Sequence, residues 1–398
     1  LPLALAGCEQ GPTSPAELLR ELPRPLAAAE QKVIASSNEF AFELLEEVSK
    51  QEGNANVLIS PLSVSMALGM TLNGAAGATY EEIRETLGYG ELSQQEINTA
   101  YGELIDLLLG LDPQVQLTLA NSIWYRDTFP FNQSFFAAVE GPFRAEIEGM
   151  DFADSASVDR VNRWVDQATR GRIDSIIERI DPRDVMYLIN ALHFKGDWRS
   201  AFDPATTRDD QFTRSDGSRS TVRMMNVHGR FELGSFERFQ AVDLPYGNGA
   251  FSMLVLVPRP GASVDEMLEG LDVQKIASIE SALVQREMDV SIPRFTMEYD
   301  VSLNDALSAL GMPLPFSGAA DFTRLSSEGG LFISDVRHKT FVAVDEEGTE
   351  AAAVTKVGIQ VVSAPPSFRA DRPFVFLIRE RLSGTILFAG RIEDPGYE

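Results

Sequence analysis

The chain has 398 residues, 59 of them acidic and 34 basic, and its formal net charge at neutral pH is −25. Such a charge opposes binding to nucleic-acid phosphates and to anionic lipid surfaces, and it favours solubility. Hydrophobic residues make up 44% of the chain, which is enough for a sizeable core. The length exceeds that of most single domains, but large mixed folds can form one cooperative unit at this size.

The amino end combines an apolar run with the only cysteine of the chain, so no intrachain disulfide can form. Residues 1–7 are apolar and end in small side chains directly before Cys8. The tetrad Leu5-Ala6-Gly7-Cys8 resembles the bacterial lipobox, in which the signal peptide is removed before a cysteine that carries diacylglycerol. We therefore expect residues 1–7 to be the end of a lipoprotein signal peptide. Cys8 would then anchor an extracytoplasmic protein of the cell envelope, the alternative being a secreted protein.

Residues 8–31 are rich in Pro, Ala and Glu, and their prolines interrupt any regular element. We predict a tether there and a folded domain over residues 32–398. Apolar residues at helical spacing predict a first amphipathic helix that ends at Gly53. Those apolar positions are Val33, Phe40, Leu44, Leu45 and Val48.

Residues 56–60 predict a short strand that leads into a helix. Ser60 is a good N-cap and Pro61 suits the first helical position. The helix that follows is almost entirely apolar, but polar residues interrupt it and it is too short for a membrane span. We interpret it as a buried core helix. The glycines Gly74 and Gly77 behind it lack the lysine of a phosphate-binding loop, so they indicate a helix end.

Beyond residue 100, helical and strand-like segments mix without a βαβ repeat. Residues 158–167 have helical periodicity, and Gly247 with Gly249 predicts a hairpin turn. The predicted strands are 116–125, 184–194, 251–257, 288–295 and 331–344, with a terminal hairpin of 374–379 and 386–391. This order predicts an α+β fold with large, mainly antiparallel sheets in a single domain.

No catalytic or metal-binding motif stands out. His193, His228 and His338 lie far apart in the sequence, and a lone histidine is more often structural than a metal ligand. The chain has neither a Gly-x-Ser-x-Gly elbow nor a His-Glu-x-x-His helix. We therefore predict no enzymatic activity, no cofactor and no metal.

Gly348 to Ala364 is the most informative segment. Every second residue from Thr349 is small or apolar, and the other register carries the charges, which is typical of a strand with one face on a core. An acidic run precedes the segment, and Pro365 and Pro366 follow it, where a strand cannot simply continue. The alternation alone also fits an ordinary strand or hairpin arm.

Five blocks between Val33 and Pro395 share the pattern of one known family. They are Asn56 to Ser63, Asn190 to Trp198, Ala241 to Tyr246, His338 to Ala353 and Phe368 to Phe376. In these blocks the chain resembles the serpins, serine-protease inhibitors that insert a reactive loop into a sheet. The resemblance implies the serpin fold, with the reactive loop at about residues 346–366. It also resolves the contradiction above, because this segment is an exposed loop in active serpins and a central strand after cleavage.

The resemblance also implies the site residues. The scissile bond is expected at Val362–Ser363, with Val361 or Ala364 as alternatives if the register is shifted, and a valine there suits elastase-like or subtilisin-like proteases. The expected hinge residues are Glu346, Gly348, Thr349, Ala351, Ala352 and Ala353. The polar cluster beneath the opening sheet, the shutter, is expected at Ser60, Ser63, Asn190 and His338. The point where the loop first inserts, the breach, is expected at Trp198.

The implied function is that of a suicide substrate. A target serine protease would cleave the loop, form a covalent acyl complex and be trapped as the loop inserts. We expect a monomer without cofactor, and the acidic composition argues against activation by heparin-like polyanions. One alternative is a non-inhibitory serpin that acts as a chaperone or carrier. The other is a hydrolase on an unrelated fold, for which the sequence offers no candidate residue.

Overall fold

The computed structural model describes residues 17–348 and 366–397. Cys8, Thr349, the alanines Ala351 to Ala353 and the bond Val362–Ser363 lie outside this range, so the predictions for them stay predictions. The two described ranges make up a mixed α and β fold, as predicted.

The described helices begin with a long helix near the amino end and are otherwise short. They are α1 (Ala28–Glu52), α2 (Pro61–Leu72), α3 (Gly77–Thr86), α4 (Gln94–Gly110), α5 (Gln133–Phe143), α6 (Ala156–Ala168), α7 (Val264–Leu268), α8 (Val273–Ala282) and α9 (Asn304–Ala309). None of them is long and apolar enough to cross a bilayer.

The described strands form three sheets. They are β1 (Val57–Ile59), β2 (Val115–Arg126), β3 (Ala145–Met150), β4 (Met186–Gly196), β5 (Arg208–Thr213), β6 (Arg219–Ser235), β7 (Phe239–Pro245), β8 (Phe251–Pro258), β9 (Val284–Pro293), β10 (Phe295–Ser302), β11 (Arg337–Val344), β12 (Ser367–Arg369), β13 (Phe374–Glu380) and β14 (Ile386–Ile392).

The largest sheet has the order β1-β14-β13-β8-β7-β6-β9-β12, with β5 paired to β6. A second sheet has the order β3-β2-β4, and β10 with β11 forms a third. Most pairs are antiparallel, and β12 with β9 and β2 with β3 are parallel. The prediction of large, mainly antiparallel sheets is confirmed.

The core lies where α1 and α2 pack on the large sheet. Every residue of β8, β13 and β14 is buried, and their mostly apolar side chains enclose the charged residues Arg379, Glu380 and Arg391. α2 is buried around nearly its whole circumference, so the interpretation as a core helix is confirmed. Its amino end also follows the sequence signal, because the Ser60 hydroxyl accepts from the Ser63 amide at 3.4 Å and Pro61 is the first helical residue.

Two predicted boundaries differ from the structure. The predicted strand 331–344 is wrong over its first six residues, because the ladder with β10 begins only at Arg337. Gly329 and Gly330 have positive φ, and the Ile333 amide donates to the Pro315 carbonyl oxygen at 2.8 Å instead of to a strand. At the amino end, α1 begins at Ala28, inside the stretch predicted as a tether.

Candidate functional site

Two sheet edges face each other without pairing. β4 forms its ladder with β2, and β11 forms its ladder with β10. The structure describes every residue of β4 and β11, and no ladder between described residues joins these two strands. Their carboxyl ends lie together, since the indole Nε1 of Trp198, two residues beyond β4, donates to the carbonyl oxygen of Asp345 at 2.9 Å. We call the line along which β4 and β11 face each other the seam.

The shutter residues hold both sides of the seam to one helix end. The Ser60 amide donates to Nε2 of His338 on β11 at 3.0 Å. Three residues later the Ser63 hydroxyl donates to Oδ1 of Asn190 on β4. Asn190 in turn donates to Oδ1 of Asn121 on β2 at 2.6 Å. The amino end of α2 therefore bridges the two edges, and the predicted shutter residues are brought together.

His338 is uncharged in this arrangement. The residue is only 6% exposed, and burial lowers its pKa to about 4, an effect that the nearby charge of Asp300 opposes. Nε2 accepts the Ser60 hydrogen bond, so the proton of the neutral ring belongs on Nδ1. Protonation of Nε2 would remove this acceptor and break the contact between β11 and α2.

Trp198, the predicted breach residue, lies at the carboxyl ends of β4 and β11. The Trp198 amide donates to the carbonyl oxygen of Glu347 at 2.9 Å, and the Trp198 ring stacks on Tyr246 with 4.4 Å between centroids. Gly348 forms an antiparallel bridge with Asp197 and has a φ of 142°. A Cβ at Gly348 would lie 2.3 Å from the carbonyl oxygen of Gly196, so only glycine fits at this predicted hinge residue.

The hinge glutamate is fixed by a second set of contacts. Glu346 is 8% exposed, and its carboxylate accepts from the Thr207 hydroxyl at 2.7 Å and faces Arg294 at 3.7 Å. Its carbonyl oxygen accepts from the Phe202 amide at 2.8 Å. The chain is therefore tightly held up to the residue before Thr349.

The chain is anchored again where the description resumes. The Asp289 amide donates to the carbonyl oxygen of Pro366 at 3.1 Å, and β12 pairs in parallel with β9. Arg369 at the end of β12 forms an ion pair with Asp210 on β5. Residues 349–365 thus connect two fixed points, one at the mouth of the seam and one on the large sheet.

The remaining histidines do not join the site. Burial lowers the pKa of His193 on β4 to about 4, with the charges of Arg170 and Arg172 acting in the same direction. His228 is exposed, and its hydrogen bond to Asp289 raises its pKa. Over the described ranges, His, Cys, Asp and Glu side chains form no group that could hold a metal ion.

Sequence reasoning missed several partners of the predicted residues. Asn121, Thr207, Tyr246 and Arg294 contact Asn190, Glu346 or Trp198 from distant parts of the chain. Asn121 left a local signal as an amide in the middle of a strand-like run, and Tyr246 ends one of the five blocks named above, but neither signal indicated these contacts.

With this fold and this seam, the chain belongs to the serpin family, whose model, described as Serpin (serine protease inhibitor), matches residues 35–395. It is 32% identical to the neuroserpin of Gallus gallus over 90% of both chains. It is 34% identical to the neuroserpin of Homo sapiens over 85% of this chain and 86% of that protein.

Solved structures agree with this assignment. The native state of Tengpin, a thermophilic serpin, aligns with a TM-score of 0.82 and 32% identity over 96% of this chain and 97% of that one. Human thyroxine-binding globulin complexed with its hormone aligns with a TM-score of 0.85 and 27% identity over 92% of this chain and 100% of that one. The relatives named as protease inhibitors place this chain in a family of inhibitors and not of enzymes.

Proposed function

We propose that this serpin is inhibitory and traps an elastase-like or subtilisin-like serine protease by inserting its cleaved loop into the seam. The observation that carries the proposal is the seam itself. Two strand edges face each other without a ladder, a hinge glycine lies at their mouth, and one helix end bridges them from below. An extended segment of this chain is the natural partner for such edges, because it would satisfy both.

The protease supplies the catalytic groups for cleavage of the loop. Its serine hydroxyl attacks the carbonyl carbon of Val362, the amide bond to Ser363 breaks, and an ester joins the protease to the new carboxyl end of the loop. The amine of Ser363 leaves with the carboxyl-terminal part of the chain, which stays anchored through β12. The segment from Thr349 to Val362 is then free to insert and to draw the attached protease along.

Insertion must release much free energy to distort a folded protease. A ladder of about a dozen residues, at roughly 0.5–1.5 kcal/mol net for each hydrogen bond, contributes on the order of ten kcal/mol. This is comparable to the whole stability of a typical domain. The proposal therefore requires a metastable intact molecule, in which a kinetic barrier delays insertion until the loop is cleaved.

The shutter and the hinge set that barrier. An inserting strand must separate β4 from β11, which the amino end of α2 holds together through Ser63 and Ser60. The first residues to pass between the edges follow Gly348, and in this chain they are Thr349 and three alanines at 351–353. Small side chains lower the cost of this step, because later ladder bonds cannot form until it is complete.

Cleavage by a pancreatic-type elastase tests the proposed scissile bond. We expect an SDS-stable complex and, by mass spectrometry, a released carboxyl-terminal fragment that begins at Ser363. Val362→Arg serves as the matched variant and should move inhibition towards trypsin-like proteases, whose pocket binds a cation. A fragment that begins outside residues 362 to 365 would refute the assignment of the bond.

A carrier function is the second candidate, because one structural neighbour is a globulin solved in complex with thyroxine. A carrier would not need the loop to insert. It would therefore be cleaved in the loop without forming a covalent complex and without gaining heat stability, whereas an inhibitor would show both effects.

We further propose that the protein is a bacterial, extracytoplasmic lipoprotein that acts as a monomer. The support for the lipid anchor is the Leu5-Ala6-Gly7-Cys8 tetrad directly before a proline-containing stretch. Two acyl groups on a cysteine give stable membrane attachment, whereas one chain gives only marginal binding. In the full-length precursor, Cys8→Ala should abolish lipid labelling and release the protein from the membrane fraction.

A further inference from the structure

Contacts near the amino end show where the chain from Cys8 joins the body of the protein. The Leu19 amide donates to the carbonyl oxygen of Asn248 at 2.9 Å. Leu18 lies against the same turn, since a Cβ on Gly249 would be 3.3 Å from the Cδ1 atom of Leu18. This turn, residues 246–250, connects β7 to β8. The part of the chain that precedes Leu18 therefore starts from this turn.

The turn lies at the end of the seam that holds Trp198, the predicted breach residue. The Gly247 amide donates to the carbonyl oxygen of Asp197 at 2.9 Å. Tyr246 forms an antiparallel bridge with Trp198, and the two rings stack. Asp197 also pairs with Gly348, directly before the predicted reactive loop. The amino-terminal stretch and the reactive loop therefore leave the body at the same end of the seam.

The opposite end of the seam is far from both. An extended chain rises about 3.3 Å per residue, so the amino end of β4 at Met186 lies about 40 Å from Trp198. Arg183, just before β4, has a side chain that is 90% exposed. Each end of the seam can therefore be attached to a surface separately, through the amino-terminal stretch or through position 183.

The length and the charge of the chain determine how a lipid on Cys8 would orient the body. Even fully extended, the chain from Cys8 to Leu19 spans at most about 40 Å. The net charge of −25 opposes contact of the body with anionic lipid. A body that is attached by one end and repelled by the surface keeps the attached end nearest to the lipid.

We propose that a lipid on Cys8 holds the protein with the breach and the reactive loop towards the membrane, so that its partner is a serine protease at the membrane surface. This inference rests on the lipid anchor and the inhibitory function proposed above. Insertion of residues 349–362 moves the attached protease along the seam by up to about 45 Å, which is away from the lipid. Trapping thus also removes the protease from the membrane surface.

Energy transfer from a labelled elastase to a dye in the lipid tests this orientation. Cys8 is the only cysteine, so its thiol can be coupled to maleimide lipid in vesicles that also contain anionic lipid. An elastase whose catalytic serine is replaced by alanine binds the uncleaved loop, whereas active elastase forms the covalent complex. We expect several-fold lower energy transfer from the covalent complex than from the complex with the inactive enzyme.

The matched control reverses the attachment. Cys8→Ala combined with Arg183→Cys couples the protein through the opposite end of the seam, and energy transfer should then rise when the covalent complex forms. Equal transfer from both complexes of the Cys8-coupled protein, or the same change with either attachment, would overturn the orientation.

Failures of the proposed function give different results. Absence of an SDS-stable complex with active elastase would contradict the inhibitory function. Lipid labelling that persists in the Cys8→Ala precursor would contradict the anchor. The energy transfer would still decide the orientation of the coupled protein, because it depends only on the coupled thiol and on complex formation.

Discussion

Thr349→Arg is expected to convert the protein from an inhibitor into a substrate. Position 349 follows directly on the hinge glycine and lies in the inward register, so an inserted arginine would place an unpaired charge among buried side chains. Such a charge costs several kcal/mol, and each 1.4 kcal/mol slows a step about tenfold. Hydrolysis of the acyl-enzyme would then be faster than insertion of the loop. Gel analysis after reaction with an elastase should show complete cleavage and no SDS-stable complex.

Glu350→Arg is the matched control for this experiment. It introduces the same side chain one residue later, in the outward register, where an inserted strand would face solvent. We expect it to form the complex in nearly normal yield. A Thr349→Arg variant that traps the protease as well as Glu350→Arg does would contradict the insertion mechanism.

Acid is expected to shorten the lifetime of the intact inhibitor through His338. The pKa of His338 is about 4 in the structure against an ordinary 6.5, so states in which its ring is exposed bind a proton more readily. Its contribution to stability is therefore complete above pH 6.5 and is lost as the pH falls from 6.5 towards 4. At pH 5 the loss amounts to about 2 kcal/mol. The intact protein should convert to an inactive form about tenfold faster at pH 5 than at pH 7.5.

His338→Gln separates this effect from general acid damage. The glutamine oxygen can accept the Ser60 hydrogen bond but does not titrate, so much of the acid acceleration should disappear. Burial also lowers the pKa of His193 to about 4, so we expect a smaller acid effect to remain in this variant. His228→Gln is the control at an exposed histidine whose pKa is raised, and it should keep the acceleration. Equal acid sensitivity of His338→Gln and the wild type would exclude the shutter histidine as the cause.

The parts of the fold that the sequence predicts are those with strong local signals. α2 has its N-cap at Ser60 and an almost entirely apolar sequence, and the hairpin of β13 and β14 has two mainly apolar arms around a glycine. β5 was missed because four of its six residues are charged or amide side chains, and its pairing with β6 overrides their weak strand preference. The early start of α1 was missed because the ion pair between Arg24 and Glu30 stabilises it. The sequence does not reveal this contact, since both residues lie in a proline-rich stretch.

The sequence likewise predicted some features of the candidate site and not others. Ser60, Ser63, Asn190, Trp198 and His338 were predicted because they lie in blocks that resemble a known family. What they do together depends on contacts across more than a hundred residues, such as Ser60 with His338 and Ser63 with Asn190. A periodic pattern reports which face of a strand is buried, but it does not report which edges are left without a partner. The seam between β4 and β11 is therefore a finding of the structure.

Heat stability before and after a single cut in the loop tests the central claim most directly. An elastase cut at Val362–Ser363 breaks one peptide bond and frees the segment that would complete the sheet. Insertion worth on the order of ten kcal/mol should raise the melting temperature of the nicked protein by about 10 °C or more over the intact protein, since the unfolding entropy of a chain of this size converts each kcal/mol into roughly 1 °C. If the intact and nicked forms melt together, the chain is not metastable and the proposed mechanism is wrong.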